Sequence, residues 1–273
     1  MISAEIAELL VRTVATAIFV IGVTAAVGRL GPAIGGALAG LPIVLGPGFF
    51  FLARTEEASF VIDAAGYSLL SLCATQLFLL AYVFAAARGA TPLRAIARAG
   101  GAWIASAAAL RLLPPQPWLG LALFAALTAL VHRLGAGFRS KVPTDRRDET
   151  LGLLLLRGVL AGLLVAVVTA ASRRLGTGWS GLILAFPIGY SVIAATVHRR
   201  LGAANVVATL HSAMLATVGL AGFCAALAFA LAVWPAGPAL AAAFAVSFAI
   251  TAALVIVRMR SSSVARRNGS VAR

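Results

Sequence analysis

Charged residues are scarce in this chain. They make up 11% of 273 residues, and only 8 are acidic against 22 Lys and Arg. With 62% hydrophobic residues and a mean hydropathy of +1.02, this excludes an ordinary soluble domain, whose apolar share is about half. The net charge of +14 would suit nucleic acid only if a water-exposed fold gathered it on one face. Here the basic residues lie in short gaps between apolar runs, so no nucleic-acid partner is expected. Cysteine is equally scarce. Cys73 and Cys224 both fall inside apolar runs, which excludes a disulfide framework and metal-ligand spacing and reads as two small buried hydrophobes. Catalytic signatures are missing too: no nucleophile elbow, no His pair on one helical turn with a Glu, no phosphate-cradling Gly loop followed by Lys, and no acidic pair for a divalent metal. The sequence therefore predicts neither an enzyme nor a bound metal or cofactor.

What fills the chain is membrane-length apolar sequence. A transmembrane helix needs roughly 20 mostly apolar residues, and nine runs qualify, near 9–28, 32–52, 59–86, 93–113, 116–132, 152–172, 177–198, 204–233 and 237–257. The third and eighth are long enough to tilt or to hold a re-entrant piece. The start, "MISAEIAELL", has no basic region and carries Glu5 and Glu8, so it predicts a retained first helix and not a cleaved signal. Arg29, Arg88, Arg94, Arg98, Arg133, Arg139, Lys141, Arg146, Arg147, Arg199, Arg200, Arg258, Arg260, Arg266, Arg267 and Arg273 fall on one side of a nine-span arrangement, while Arg54, Arg111, Arg173 and Arg174 fall on the other. The imbalance predicts an outside N-terminus and a cytoplasmic C-terminus, with the basic side meeting anionic lipid headgroups. The last stretch, 259–273, is basic and aperiodic, as an unstructured tail would be.

The chain also repeats itself. Arg157 lies 145 positions after Arg12 (157 − 12 = 145), and the same offset carries Thr24 to Thr169, Arg29 to Arg174, Gly36 to Gly181, Pro42 and Ile43 to Pro187 and Ile188, and Arg54 to Arg199 without a gap. The reading is a first membrane repeat over 1–113, a linker helix over 114–132, a basic cytoplasmic loop over 133–151 and a second repeat over 152–258. Four helices and a linker make an odd number, so the second copy enters the membrane from the opposite side. The expected fold class is thus an all-α integral membrane protein of about nine helices in an inverted repeat. Inverted repeats are a common build of secondary transporters.

Both copies interrupt the same helix with Pro and Gly, at "AGLPIVLGPG" and "AFPIGYS". Backbone groups freed in lipid are tolerable only where protein or a water-filled cavity satisfies them, and matched interruptions point to a site at the repeat interface. This predicts a pathway lined by Pro42, Gly46, Pro47, Pro187, Gly189 and Ser191. On the third helix Asp63, Tyr67, Ser71 and Thr75 recur every fourth residue and form one inward stripe. Asn205, Thr209 and Ser212, with His211 beside them, form another. Asp63, an acid inside a span, is the expected proton or cation site, with His211 a second titrating group. Arg12 and Arg157 are symmetric mouth residues that either snorkel to headgroups or contact anions. Glu56 and Glu57 are expected in a solvated loop, Arg94 and Arg98 on lipid phosphate, and no chemistry is assigned to His132 or His198.

The segments "GPAIGGALAGLPIVLGPGFFFLA" and "GWSGLILAFPIGYSVIAATVH" resemble a group of bacterial inner-membrane proteins of uncharacterised activity that share this duplicated small-residue and Pro pattern. The resemblance implies a multi-pass inner-membrane location and leaves the substrate open. The expectation overall is a secondary transporter of a small solute, proton-coupled through Asp63, with lipid as its surroundings and a homo-oligomer allowed. The alternatives are a non-transporting membrane scaffold and an intramembrane lipid-modifying enzyme using Asp63, Tyr67 and His211.

Overall fold

The computed structural model describes residues 2–29, 40–138 and 151–271, with side chains described within 6–25, 40–135, 137–138 and 151–257. Gly36, matched above to Gly181, the side chains of Arg29 and of the basic residues after 257, and residues 139–150 of the basic loop lie outside them.

The described residues form helices and no strand: α1 (Ile2–Arg29), α2 (Leu45–Thr55), α3 (Ala58–Ala87), α4 (Pro92–Leu110), α5 (Pro117–Gly135), α6 (Leu151–Ala170), α7 (Ser172–Leu184), α8 (Ile188–Leu201), α9 (Ala203–Leu231) and α10 (Ala236–Val271). Ala- and Leu-rich runs favour helix, and turn chemistry separates them. After α3, Gly89 takes φ 78°; its N–H bonds to the Ala86 carbonyl and that of Ala90 to the Ala85 carbonyl, both at 3.0 Å, the Schellman arrangement. Thr91 then caps α4 by accepting from the Arg94 N–H, with Pro92 in the first turn, where its missing donor costs nothing.

Among the described residues, seven stretches are long and apolar enough to cross a membrane: Ile6–Ala25, Ala58–Ala87, Pro117–Gly135, Leu151–Ala170, Ser172–Leu201, Ala203–Leu231 and Ala236–Val257. The chain is a multi-pass, all-helical protein of membrane type. Two of the nine expected runs fall short of this measure. Arg94 and Arg98 sit in the first turns of α4 and lower its hydropathy, and the run at 32–52 is described only from Gly40, with 11 helical residues in α2. The long third and eighth runs are single helices of 30 and 29 residues, about 45 Å each, longer than the hydrocarbon thickness of a bilayer. The last helix continues to Val271, through the stretch the sequence suggests is an unstructured tail.

Side-chain distribution fits lipid outside and polar groups inside. On α1, Leu10 and Ile18 are 59% and 65% exposed, whereas Ser68, Ser71 and Gln76 are fully buried. Small residues set the packing. Gly162 of α6 lies against the Thr13 carbonyl of α1 and Gly158 against Ile21, so these helices run antiparallel. Gly120 of α5 meets Leu69 of α3 and Thr128 bonds to Gln76, which makes α5 and α3 parallel. On the other flank of α5, His132 faces His211 at 5.0 Å between ring centroids, while Gln76 joins Thr128 to Thr217. Helix α9 therefore runs antiparallel to α5, and so to α3. Helices α1 with α6, and α3 with α9, occupy positions 145 apart in the sequence. Ala58 and Ala203, the first residues of α3 and α9, keep that offset (203 − 58 = 145).

Candidate functional site

The segment expected as one helix over 177–198 is two. Helix α7 ends at Leu184, Ala185 and Phe186 leave the helical path, and α8 begins at Ile188 with Pro187 as its N-cap. Pro187 cannot donate a backbone hydrogen bond, so the ladder is open there. The Ile188 N–H turns back to the Phe186 carbonyl at 2.7 Å, and the Ser191 N–H reaches the Pro187 carbonyl at 2.9 Å. The residues 145 positions earlier do the same. The Ile43 N–H bonds to the Leu41 carbonyl at 2.8 Å, and the Gly46 N–H bonds to the Pro42 carbonyl at 2.7 Å.

The surroundings of the two breaks differ. Pro42 borders a groove of about 530 Å³ shared with Phe19, Leu41, Ile43, Phe244 and Phe248, apolar throughout. A Cβ on Gly46 would run into the Phe244 ring, so that glycine brings α2 against α10; Pro47 follows in the same turn. At the second break Phe186 stacks edge-on with Trp103 of α4 at 4.8 Å. Ser191 returns its hydroxyl to the Pro187 carbonyl at 2.9 Å, and Gly189 faces open space. Pro187 does not line the groove at Pro42. A second groove of about 390 Å³, lined by Phe124, Thr128, His132, Val218 and Ile250 among others, lies between α5, α9 and α10, also away from Pro187.

Helix α3 holds the segment broken at Pro187. Ser68 and Ser71 donate to the carbonyls of Gly181 and Leu182, each at 2.8 Å. Between them and the helix start, Tyr67 accepts from Arg111 Nη1 at 3.2 Å. Thr75 is buried, and its hydroxyl has no partner among the described residues. Asp63, one turn before Tyr67, is half-buried. The stripe on α9 is local: Asn205 donates to the Leu201 carbonyl and Thr209 to that of Asn205, both at 2.8 Å, with Ser212 on the next turn. His211 sits against His132 and Gly135 of α5. It approaches the Gln76 end of α3, about 20 Å of helix from Asp63, so Asp63 and His211 do not form one site.

Several other groups depart from expectation. Arg12 is 6% exposed, ion-paired with Glu8, and lies 5.7 Å from the Phe51 ring centroid, so its guanidinium is held by protein groups. Arg157 is half-buried on α6. Glu56, expected in solvent, accepts from Ser172 at 2.6 Å and approaches Arg173 at 3.8 Å, tying the end of α2 to the start of α7. His198, also without an expected role, is buried with Nδ1 3.2 Å from Tyr82 Oη.

The group that sequence reasoning passed over is Gln76. Its amide nitrogen lies 2.7 Å from Thr128 Oγ1, 3.0 Å from the Met214 carbonyl and 3.0 Å from Thr217 Oγ1. One side chain thereby joins α3, α5 and α9 near the middle of each. The available signal was a lone amide in the middle of a 30-residue apolar helix, one position beyond the stripe ending at Thr75.

Fold and site together define a multi-pass helical membrane protein with a helix interrupted at Pro187 and a matching backbone turn at Pro42. The chain matches no family model, no curated protein and no solved structure.

Proposed function

We propose that the chain is a secondary transporter of a small solute in a bacterial inner membrane, built as two inverted repeats over 1–113 and 152–258 about the linker helix α5. The observation that carries the reading is the pair of breaks, which share two backbone hydrogen bonds at one offset of 145 residues. The antiparallel packing of α1 on α6 and α3 on α9 supports it, since helices related by inversion meet that way. Halves facing opposite ways can exchange roles and expose a central site to each side in turn.

The halves differ in one respect that bears on the cycle. The residues 145 positions after Ser68 and Ser71 are Ala213 and Ala216, which carry no hydroxyl. The break at Pro187 is therefore clamped to α3 by two hydroxyls that α9 does not repeat at the matching positions. Two interhelical hydrogen bonds in a membrane are worth about 0.6 kcal/mol each, so Ser68→Ala with Ser71→Ala moves a two-state equilibrium roughly eightfold. Ala213→Ser with Ala216→Ser moves it the opposite way. The measurement is thiol labelling from each face of sealed vesicles, with cysteines at Ile43 and Ile188 in a chain carrying Cys73→Ala and Cys224→Ala. Alternating access predicts labelling from both faces, with rates shifted in opposite senses by the two double variants. Positions that stay unreactive from both faces contradict transport.

The edge-on packing of Phe186 on Trp103, and the apolar lining at Pro42, favour one other reading, a scaffold whose breaks are packing devices. It predicts that unreactive outcome.

A further inference from the structure

We infer that Arg111, Tyr67 and Gly178 form a recognition site for one singly charged oxyanion, a carboxylate or a phosphodiester. Arg111 directly follows α4, and its N–H still bonds to the Ala107 carbonyl at 2.9 Å, which fixes the root of the side chain. The guanidinium carbon lies 4.9 Å from the centroid of the Tyr67 ring, and Nη1 donates to Tyr67 Oη at 3.2 Å. On its other side the side chain rests on the backbone of α7. A Cβ on Gly178 would occupy the place of Arg111 Nε and Cζ, so only glycine leaves room for it.

Three helices thus orient one arginine whose charge they do not neutralise. A guanidinium carries five N–H donors and stays ionised in proteins. Here the described residues supply one neutral acceptor and one aromatic face, and no carboxylate ion-pairs with Arg111. Its Nε is buried without a partner, while the residue as a whole is half-buried, so the donors remain reachable from one side. Two acids lie in the neighbourhood. Glu56 is held by Ser172 and Arg173. Asp63 shares the Tyr67 face of α3 one turn away, and its negative charge disfavours a doubly charged ligand, which narrows the class to monoanions. Arg pairs with carboxylate or phosphate through two parallel hydrogen bonds, and its free edge offers that fork.

The oxyanion has two sources, a dissolved carboxylate or the phosphodiester of an anionic phospholipid. As a transported solute it rests on the transport reading; as a bound ligand it does not. The test is equilibrium binding to the full chain in phosphatidylcholine nanodiscs, with benzoate as probe. Trp179, next to Gly178 and 41% exposed, supplies the fluorescence signal. Saturable quenching by benzoate, weakened tenfold or more in Arg111→Gln and in Gly178→Ala and a few-fold in Tyr67→Phe, is the expected result. Arg111→Lys keeps the charge but loses the fork, and is expected between wild type and Arg111→Gln. The same titration in nanodiscs doped with phosphatidylglycerol separates the sources. A phosphatidylglycerol signal that depends on Arg111, with no benzoate binding, assigns the site to the headgroup. Equal behaviour of wild type, Arg111→Lys and Arg111→Gln towards both probes overturns the proposal. Binding is read without a gradient, so a chain that binds benzoate but fails the Ile43 and Ile188 labelling test keeps this site and loses the transport reading. One that passes labelling and binds neither probe loses only the site.

Discussion

Gly181→Val is expected to destabilise the folded chain by about 4 kcal/mol, the largest effect of any single substitution considered. A Cβ at Gly181 would collide with the Ala64 carbonyl and come within 2.9 Å of the Tyr67 Cβ. Both belong to α3, which is packed on its other sides by α4, α5 and α9, so the yielding partner is α7. Overpacking of this kind costs about 1–3 kcal/mol. Displacing α7 also strands the hydroxyls of Ser68 and Ser71, and interhelical hydrogen bonds in membranes are worth roughly 0.6 kcal/mol each, up to about 1.7. Gly181→Ala, with the same Cβ and no branch, should lie about halfway. Unfolding titrations with sodium dodecyl sulfate in mixed micelles read the difference, and a Gly181→Val curve overlying wild type would mean that α3 and α7 do not pack as described.

Gln76→Ala follows at about 3 kcal/mol. Its amide nitrogen shares two N–H donors among three interhelical acceptors, so the equivalent of two hydrogen bonds disappears at once, each worth about 0.6 to 1.7 kcal/mol in a membrane, and the vacated volume adds a cavity cost. Gln76→Met keeps the volume and loses only the polar part, so it should recover about 1 kcal/mol of the loss. Because Thr217 Oγ1 also lies 2.8 Å from the Met214 carbonyl, Thr217→Val should be milder than Gln76→Ala. A Gln76→Met curve overlying wild type in the same titration, beside a destabilised Gln76→Ala, would show that volume alone matters at this position and that the polar junction contributes nothing.

Much of the scaffold was legible because membrane helices announce themselves by length and hydropathy. The runs at 59–86 and 204–233 became α3 and α9 within a few residues of their expected ends. The break at Pro187 was legible for a local reason: proline removes a donor, and the glycines around it lower the cost of leaving the helix. The roles of polar side chains were not, because they depend on which helix comes to lie opposite. Ser71 stood out only as part of a polar stripe, and its partner, a carbonyl of α7, lies 111 positions away. Glu56 read as solvated because loops usually are, yet it caps a junction with Ser172. Asp63 and His211 looked like one pair of titrating groups, and the antiparallel course of α3 and α9 sets them at different levels. Arg111 counted only as a loop charge, since nothing in "ALRLLPP" reveals that Tyr67 and Gly178 will flank it.

The inverted repeat is the claim on which the transport reading stands, and it is tested most directly at Ser59 and Ala204, exposed residues one position inside α3 and α9 and 145 apart. With Cys73→Ala and Cys224→Ala as background, Ser59→Cys and Ala204→Cys are labelled separately by a membrane-impermeant maleimide in right-side-out and inside-out vesicles. The account predicts reaction from opposite faces, Ser59→Cys from outside and Ala204→Cys from the cytoplasm. Labelling of both from the same face would contradict it.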